Sequence, residues 1–365
     1  MKIPLLDVVK MHQPIRDELL AALTEVLDSG SYINGPYVER FEDQLAAHTG
    51  ATRAIGVSSG SDALIVSLMA LDVKPGDEII APSFTFFATA GATVRTGGTP
   101  VFVDIDPVTF NIDPDKIEEK ITKKTAGIIP VHLFGQSADM DKINAIAEKH
   151  GLWVLEDAAQ SIGALHHGRM CGTMGTLGMY SFYPAKNLGA IGDGGAVVTD
   201  DEALAEKIAT LREHGSHPKY YHSVVGGNFR LDAIQAAALS VKLPHLKEWE
   251  EKRRAAAATY AELLAEGGLY VPPTEVEGNR HVFNQYELRV KDGKRDAAAA
   301  KLKEADIGHM IYYPIPLHLQ KCFADLGYRK GDLPVTERAC EEVLALPIMA
   351  DKETCERVVS VLRGV

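Results

Sequence analysis

Residues 53–73, RAIGVSSGSDALIVSLMALDV, pass from a short apolar run straight into a helical stretch opened by Gly60 and Ser61. The unit repeats along the chain. DEIIAPS (77–83) leads into FTFFATAGATVRTG (84–97), and the strand-like PVFVDID follows at 100–106. AGIIPVHLF (126–134) precedes the helix ADMDKINAIAEKHG (138–151), whose Gly151 reads as its C-cap. LWVLEDAA (152–159) is again a strand, ending in acids. None of these runs alternates cleanly between apolar and polar, as expected for parallel strands buried on both faces. Strand–helix units in succession predict an α/β domain built on a largely parallel sheet.

The pattern changes near residue 240. DAIQAAALSVKLPHLKEWEEKRRAAAATYAELLAEGG (232–268) reads as a helix, a break at Pro244, and a long charged helix ending at Gly267–Gly268. A proline-rich bend, VPPTEVEGN (271–279), is followed by a strand YELRV (286–290), a helix KRDAAAAKLKEADIG (294–308) and a strand HMIYYPI (309–315). DKETCERVVSVLRGV (351–365) closes the chain as a helix. Two units are expected: residues 1–245, a large α/β domain that includes the N-terminal segment, and 246–365, a smaller α+β domain.

The 365 residues are 46% hydrophobic and 24% charged, the balance of a globular protein with a substantial core. Fifty acidic against 38 basic side chains leave a net charge of −12, which disfavours nucleic acid or an anionic membrane as the main partner. No apolar run approaches the ~18 residues of a membrane helix, and the N-terminus lacks the unbroken apolar stretch of a secretory signal. Cys171, Cys322, Cys340 and Cys355 are too scattered for a disulfide framework. A cytoplasmic enzyme is expected.

Three segments could carry chemistry. Gly60-Ser61-Asp62 lies at a strand-to-helix turn, where helix N–H groups favour an anion and glycine permits close approach of a phosphate. An ordinary capped turn fits those residues equally well, and neither nucleotide-binding glycine fingerprint is present. Asp157 ends a strongly apolar strand, where a carboxylate needs a cationic partner, either a structural arginine or the ring nitrogen of a cofactor. In GMYSFYPAKNLGAIGDGGAVVT (178–199), Lys186 sits between two buried-looking runs, and desolvation lowers an amine's pKa towards the nucleophilic range. Phosphate cup, buried acid and loop lysine together are what a pyridoxal phosphate site needs.

The constellation resembles the DegT/DnrJ-type nucleotide-sugar aminotransferases. The pieces that carry the resemblance, in order, are SSGSDAL, APSFTFFAT, VDIDP, EDAAQSIGA, SFYPAKNLGAIGDGGAV, NFRLDAIQAA and YPIPLHLQ, within a match from SGSYINGPYVERFE (29–42) to LALPI (344–348). The resemblance implies the aspartate-aminotransferase architecture, fold-type I: a three-layer, mostly parallel seven-stranded sheet with a smaller C-terminal α+β domain. It implies pyridoxal 5'-phosphate as cofactor and Lys186 as the lysine that holds it covalently. Asp157 would face the ring nitrogen, Gln160 the phenolic oxygen, and Phe86 the ring face, with Phe84 and Phe87 as candidate core neighbours. Gly60, Ser61 and Ser181 match phosphate-binding positions. Asn228 matches a phosphate ligand donated by the neighbouring subunit, which implies a homodimer with shared active sites. Tyr183, Tyr313 and His318 match substrate-facing positions; Arg230 either meets a substrate anion or braces its loop. Many relatives have His-Tyr before P-I-P, where this chain has Tyr312-Tyr313.

The implied reaction is transamination of a keto sugar carried on a nucleotide, with L-glutamate as amino donor. Proline directly after the tyrosine of YPIPLHLQ is closer to relatives acting at C3, on a UDP- or dTDP-linked 3-keto sugar destined for lipopolysaccharide or another surface glycan. Alternatives are amination at C4 of a 4-keto-6-deoxy sugar and, in another class, a non-catalytic regulator or sugar-binding protein of the same fold. A dehydratase of this fold would replace the lysine by histidine. HHGRMC (166–171) supplies two histidines and a cysteine, but it matches the family's hairpin and has no paired second cluster, so no metal is expected.

Overall fold

The computed structural model describes residues 2–218, 220–265 and 268–365. The strands in chain order are β1 Arg53–Val57, β2 Glu78–Pro82, β3 Thr99–Val103, β4 Thr125–Ile128, β5 Trp153–Asp157, β6 Leu165–His166, β7 Arg169–Met170, β8 Leu177–Ser181, β9 Gly195–Thr199, β10 Tyr270–Val271, β11 Asn279–Arg280, β12 Tyr286–Val290 and β13 Val343–Leu346. Seven of them form the central sheet in the order β1-β9-β8-β5-β4-β2-β3. The pairs β2–β3, β2–β4, β4–β5 and β5–β8 are parallel, and β9 runs against both of its neighbours. The expected mostly parallel seven-stranded sheet is therefore present.

Side chains of β8 and β9 divide by parity between two cores, as a two-residue period requires. Tyr180, Ala196 and Val198 pack with Phe41, Leu45 and Leu239 of helices Pro36–Thr49 and Ala233–Lys242. Leu177, Met179 and Val197 face Leu64, Leu68 and Ile208 of helices Gly60–Ala70 and Glu202–Arg212. Helix, sheet and helix make the three layers, and burial on both faces explains why the strands read as unbroken apolar runs.

A second core gathers Tyr260, Tyr286, Leu288, Leu344, Leu346, Val358 and Leu362 around the antiparallel sheet β10-β12-β13. Helix Leu246–Leu263 joins the two, giving Leu246 to the first core and Tyr260 to the second. Its end was expected at Gly267–Gly268; Gly267 lies outside the described residues. Two local expectations differ from the structure. HMIYYPI forms no strand and makes one bridge, Met310 to Ala345, while the strand beside β12 is β13, from the stretch 343–346. The start of the chain, expected with the larger unit, pairs with the smaller one. The Ile3 amide donates to the Asp306 carbonyl at 3.0 Å and the Gly308 amide to the Ile3 carbonyl at 2.7 Å.

Candidate active site

The parallel strands all end at one edge of the sheet, where open α/β folds place their ligands. β5 delivers Asp157 there, β8 delivers Ser181, and β1 runs out through Ser58 and Ser59 into the helix that starts at Gly60. Ser59 caps that helix, its hydroxyl accepting from the Asp62 amide at 3.0 Å. A helix start leaves its first N–H groups without carbonyl partners, and here they belong to Gly60 and Ser61. A Cβ on Gly60 would stand 2.6 Å from the Ser181 Cβ. That close approach is possible because position 60 has no side chain, and it sets the N–H groups of Gly60 and Ser61 beside the Ser181 side chain as a polar cup of the kind that binds phosphate.

Asp157 is buried. Its Oδ2 accepts from the Thr89 hydroxyl at 2.9 Å and its Oδ1 from the Ala159 amide at 3.2 Å. Burial holds its carboxyl above the usual range, opposed by those two donors and by the Lys186 charge. Burial likewise pushes Lys186 down to about 8, opposed by Asp157. The two shifts point the same way: each group sits where its charge is poorly solvated, and each is relieved by a charged partner placed between or beside them. A protonated ring nitrogen at Asp157 and a covalent partner for Lys186 meet that need.

A second lysine, Lys242, is also lowered to about 8 by burial. Its ammonium is occupied, donating to the Gly189 carbonyl at 2.6 Å and the Ala190 carbonyl at 3.3 Å. It braces the loop that carries Lys186 and has a structural role that the sequence did not reveal.

Gln160 is buried, its Oε1 accepting from the Phe134 amide at 2.6 Å and its Nε2 donating to the Tyr313 hydroxyl at 3.2 Å. One more hydrogen on Nε2 remains for a ligand. Phe84 is fully buried, whereas Phe86 is 57% exposed with its ring 6.3 Å from that of Tyr313. Of the neighbouring phenylalanines, Phe86 therefore has a free face, and Phe87 stacks on Phe323 instead. Tyr183 is exposed beside the Lys186 turn, its carbonyl accepting from the Lys186 amide at 2.8 Å.

Asn228 is exposed on the segment that pairs with Glu213, and the preceding stretch presents Tyr221 and Val225 to solvent. Arg230 commits one guanidinium nitrogen within the chain, Nη1 donating to Glu213 at 3.1 Å, while Asn34 donates to the other Glu213 oxygen at 2.6 Å. Of the two roles open to Arg230, bracing is the one its contacts display.

His318 needs correction. It was expected to face substrate, with an exposed loop histidine as the other option; it is buried, and both ring nitrogens are engaged. Nδ1 lies 2.7 Å from the Ser83 hydroxyl and Nε2 lies 3.2 Å from Glu337. The ring ties the end of β2 to helix Pro334–Glu342 behind the site. Burial lowers its pKa, opposed by Glu337.

Sequence reading missed Thr89 and also the pair behind Asp157. Glu156 is fully buried and accepts from the amides of Gly172, Met174 and Gly175 and from His132 Nε2 at 2.8 Å. His132 Nδ1 accepts from the Ala138 amide, which fixes the tautomer. This network pins the strand end that aims Asp157. Each carboxylate oxygen accepts two of these bonds, so replacing Glu156 by glutamine turns an amide donor towards two N–H groups whichever way it sits, and a loss of roughly 3–5 kcal/mol of stability is expected in urea unfolding.

The pieces fit pyridoxal phosphate: a helix start with free N–H groups packed on Ser181 for the phosphate, a buried acid for the ring nitrogen, a half-buried amine of lowered pKa, and an aromatic face. Comparisons with known proteins agree. The DegT/DnrJ/EryC1/StrS aminotransferase family matches residues 13–363. A relative from Geobacillus stearothermophilus described as a pleiotropic regulatory protein is 54% identical, over 96% of this chain and 94% of its own. UDP-N-acetyl-3-dehydro-alpha-D-glucosamine 3-aminotransferase from Acidithiobacillus ferrooxidans is 44% identical, over 99% of this chain and 97% of its own. The crystal structure of DesV from S. venezuelae superposes with a TM-score of 0.96 at 40% identity, covering 100% of this chain and 98% of that one. Fold, cup and lysine thus converge with sequence likeness on one conclusion: the chain belongs to the DegT/DnrJ/EryC1/StrS aminotransferase family and is a pyridoxal phosphate-dependent aminotransferase.

Proposed function

We propose that the enzyme transfers the amino group of L-glutamate to C3 of a 3-keto sugar linked to UDP or dTDP, in the making of an amino sugar for lipopolysaccharide or another surface glycan. The observation that carries the C3 assignment is the near full-length likeness to the Acidithiobacillus 3-aminotransferase. The acidic surface and four free cysteines fit a cytoplasmic setting.

When bound, the cofactor supplies an electron sink for negative charge developing at the donor's Cα. The chain's own residues do the rest. Gly60, Ser61 and Ser181 would hold the phosphate. Asp157 would keep the ring nitrogen protonated, and Gln160 has a remaining hydrogen that would meet the phenolic oxygen. Lys186 would hold the cofactor and, as the base nearest the reacting centre, would take the proton from the donor's Cα and hand it back, a role suited to an amine titrating near 8. Tyr183, exposed beside the Lys186 turn, and Tyr313, bonded to Gln160, are the side chains we assign to the sugar. The regulatory description of the Geobacillus relative suggests a non-catalytic reading, but Lys186 is kept together with the buried Asp157 and Gln160, and the likeness to a named aminotransferase runs over nearly the whole chain.

The test is a glutamate-driven amination screen across 3-keto and 4-keto sugars carried on UDP and dTDP, with mass detection of the product and of 2-oxoglutarate. Amination of a 3-keto substrate is expected. Turnover confined to 4-keto sugars overturns the C3 assignment, and no glutamate-dependent product from any of them overturns the proposed reaction.

Shared sites give a separate expectation. If Asn228 reaches the partner's phosphate cup, Lys186→Ala and Asn228→Ala chains carry their lesions to different copies of the site. In a verified mixed dimer one site then holds both lesions and the other neither, so activity returns towards one native site per dimer. Mixed dimers no more active than the average of their parents would place Asn228 within its own chain's site or outside both.

A further inference from the structure

We propose that Asp141, His166 and His167 form a divalent metal site of the Zn2+ class, independent of the transamination site. The histidines lie at the end of β6 and in the turn before β7, and Asp141 lies in the first turn of helix Met140–His150. One ligand atom from each of the three falls within 4.8 Å of the others. Asp141 Oδ2 is 3.4 Å from His166 Nε2 and 3.8 Å from His167 Nε2. Zinc bonds of about 2.0–2.1 Å in tetrahedral array set ligand atoms about 3.3–3.4 Å apart, so the first distance is already that of a tetrahedron's edge and the second needs a few tenths of an ångström.

The tautomer of His166 supplies the second argument. The Asn279 amide donates to the Ser137 carbonyl at 3.4 Å, which leaves its Oδ1 as an acceptor, 2.7 Å from His166 Nδ1. Nδ1 is therefore the donor to Asn279, which in the neutral ring leaves Nε2 as the metal-binding nitrogen. That Nε2 is buried and has no hydrogen-bond partner among the described residues. Nε2 and the carboxylate oxygen facing it at 3.4 Å call for a positive charge between them, which a proton on the ring or a metal ion supplies, and the ion has the third ligand of His167 beside it. A histidine oriented through one nitrogen by an outer acceptor, with the other bare, is the arrangement that metal-binding histidines adopt.

His167 is held in place as well. Its amide donates to the Gly278 carbonyl at 2.8 Å, and a Cβ on Gly278 would lie 2.4 Å from its Cε1. Gly278 also has a φ of +83°, so glycine is required there on both counts. Asp141 and His167 are largely exposed, which leaves the outer coordination positions open to water. Cys171, the third potential ligand in HHGRMC, is fully buried and is not part of the cluster. The spacing within that motif gave no metal because the missing carboxylate comes from a helix 25 residues earlier. Through Asn279 in β11, a bound ion would tie the helix and hairpin to the segment leading into the C-terminal core.

The experiment titrates Zn2+ alone, against a chromophoric chelator competitor, into tag-free, metal-stripped protein loaded with pyridoxal phosphate. One equivalent per chain is expected to bind tightly, with His167→Ala and Asp141→Asn each weakening it by about tenfold or more. Both side chains are exposed, so the variants should fold; matching thermal melts in the absence of metal check this. In the native chain Zn2+ raises the melting temperature, and in the variants the rise is lost. A native chain that binds Zn2+ no more tightly than the two variants overturns the assignment.

Discussion

Lys186→Ala is expected to lower glutamate-dependent formation of 2-oxoglutarate by at least ~10⁴-fold while the fold persists, because one side chain both holds the cofactor and moves the proton. The lysine is half-buried in a loop whose shape is set by other groups, namely the turn from Tyr183 and the Lys242 ammonium on Gly189 and Ala190. Its removal therefore leaves the scaffold in place. The lowered pKa predicts how the native chain behaves. An amine titrating near 8 is about 300 times more often neutral at pH 7 than one at its ordinary 10.5. Capture of pyridoxal phosphate by the apoenzyme should accelerate as pH rises through about 8 and level off above it. A rate still climbing steeply past pH 10 would mean that the amine is not desolvated.

Asp157→Asn should cost at least ~10²-fold in the half-reaction with glutamate while cofactor attachment persists. The substitution removes a charge and keeps the shape. The asparagine carbonyl can still accept from the Ala159 amide. The Thr89 hydroxyl, freed from a carboxylate oxygen, can turn to Thr85, 3.1 Å away. Stability should change little, so the loss is read as chemistry: without the negative charge the ring nitrogen no longer keeps its proton. Single-turnover absorbance changes on adding glutamate measure it, and a near-native rate would make Asp157 a structural acid.

Much of this was legible in the sequence because it is local. A strand that ends in Asp157, a glycine at a strand–helix turn and a lysine between two buried runs each follow from a few neighbouring residues. What escaped was decided by distant chain. YPIPLHLQ says nothing of Ser83 or Glu337, which close on the two nitrogens of His318 and turn an expected substrate contact into a buried tie. HMIYYPI has a strand's composition, but β13 takes the place beside β12, leaving the segment a single bridge. The support of Asp157 by Thr89, and of its strand by His132 and Glu156, rests on side chains that read as ordinary helix, loop and strand residues. Asp141 meets His166 and His167 only once a helix and a hairpin pack together.

The most direct test of the account is to reduce the holoenzyme with borohydride and map the cofactor's mass by peptide sequencing. Lys186 and Lys242 are both lowered to about 8, so pKa alone does not choose between them; geometry does, because the Lys242 ammonium is spent on two carbonyls. The account predicts the added mass on the peptide containing Lys186. Recovery on Lys242 or any other lysine, or no fixed cofactor after reconstitution, would contradict it.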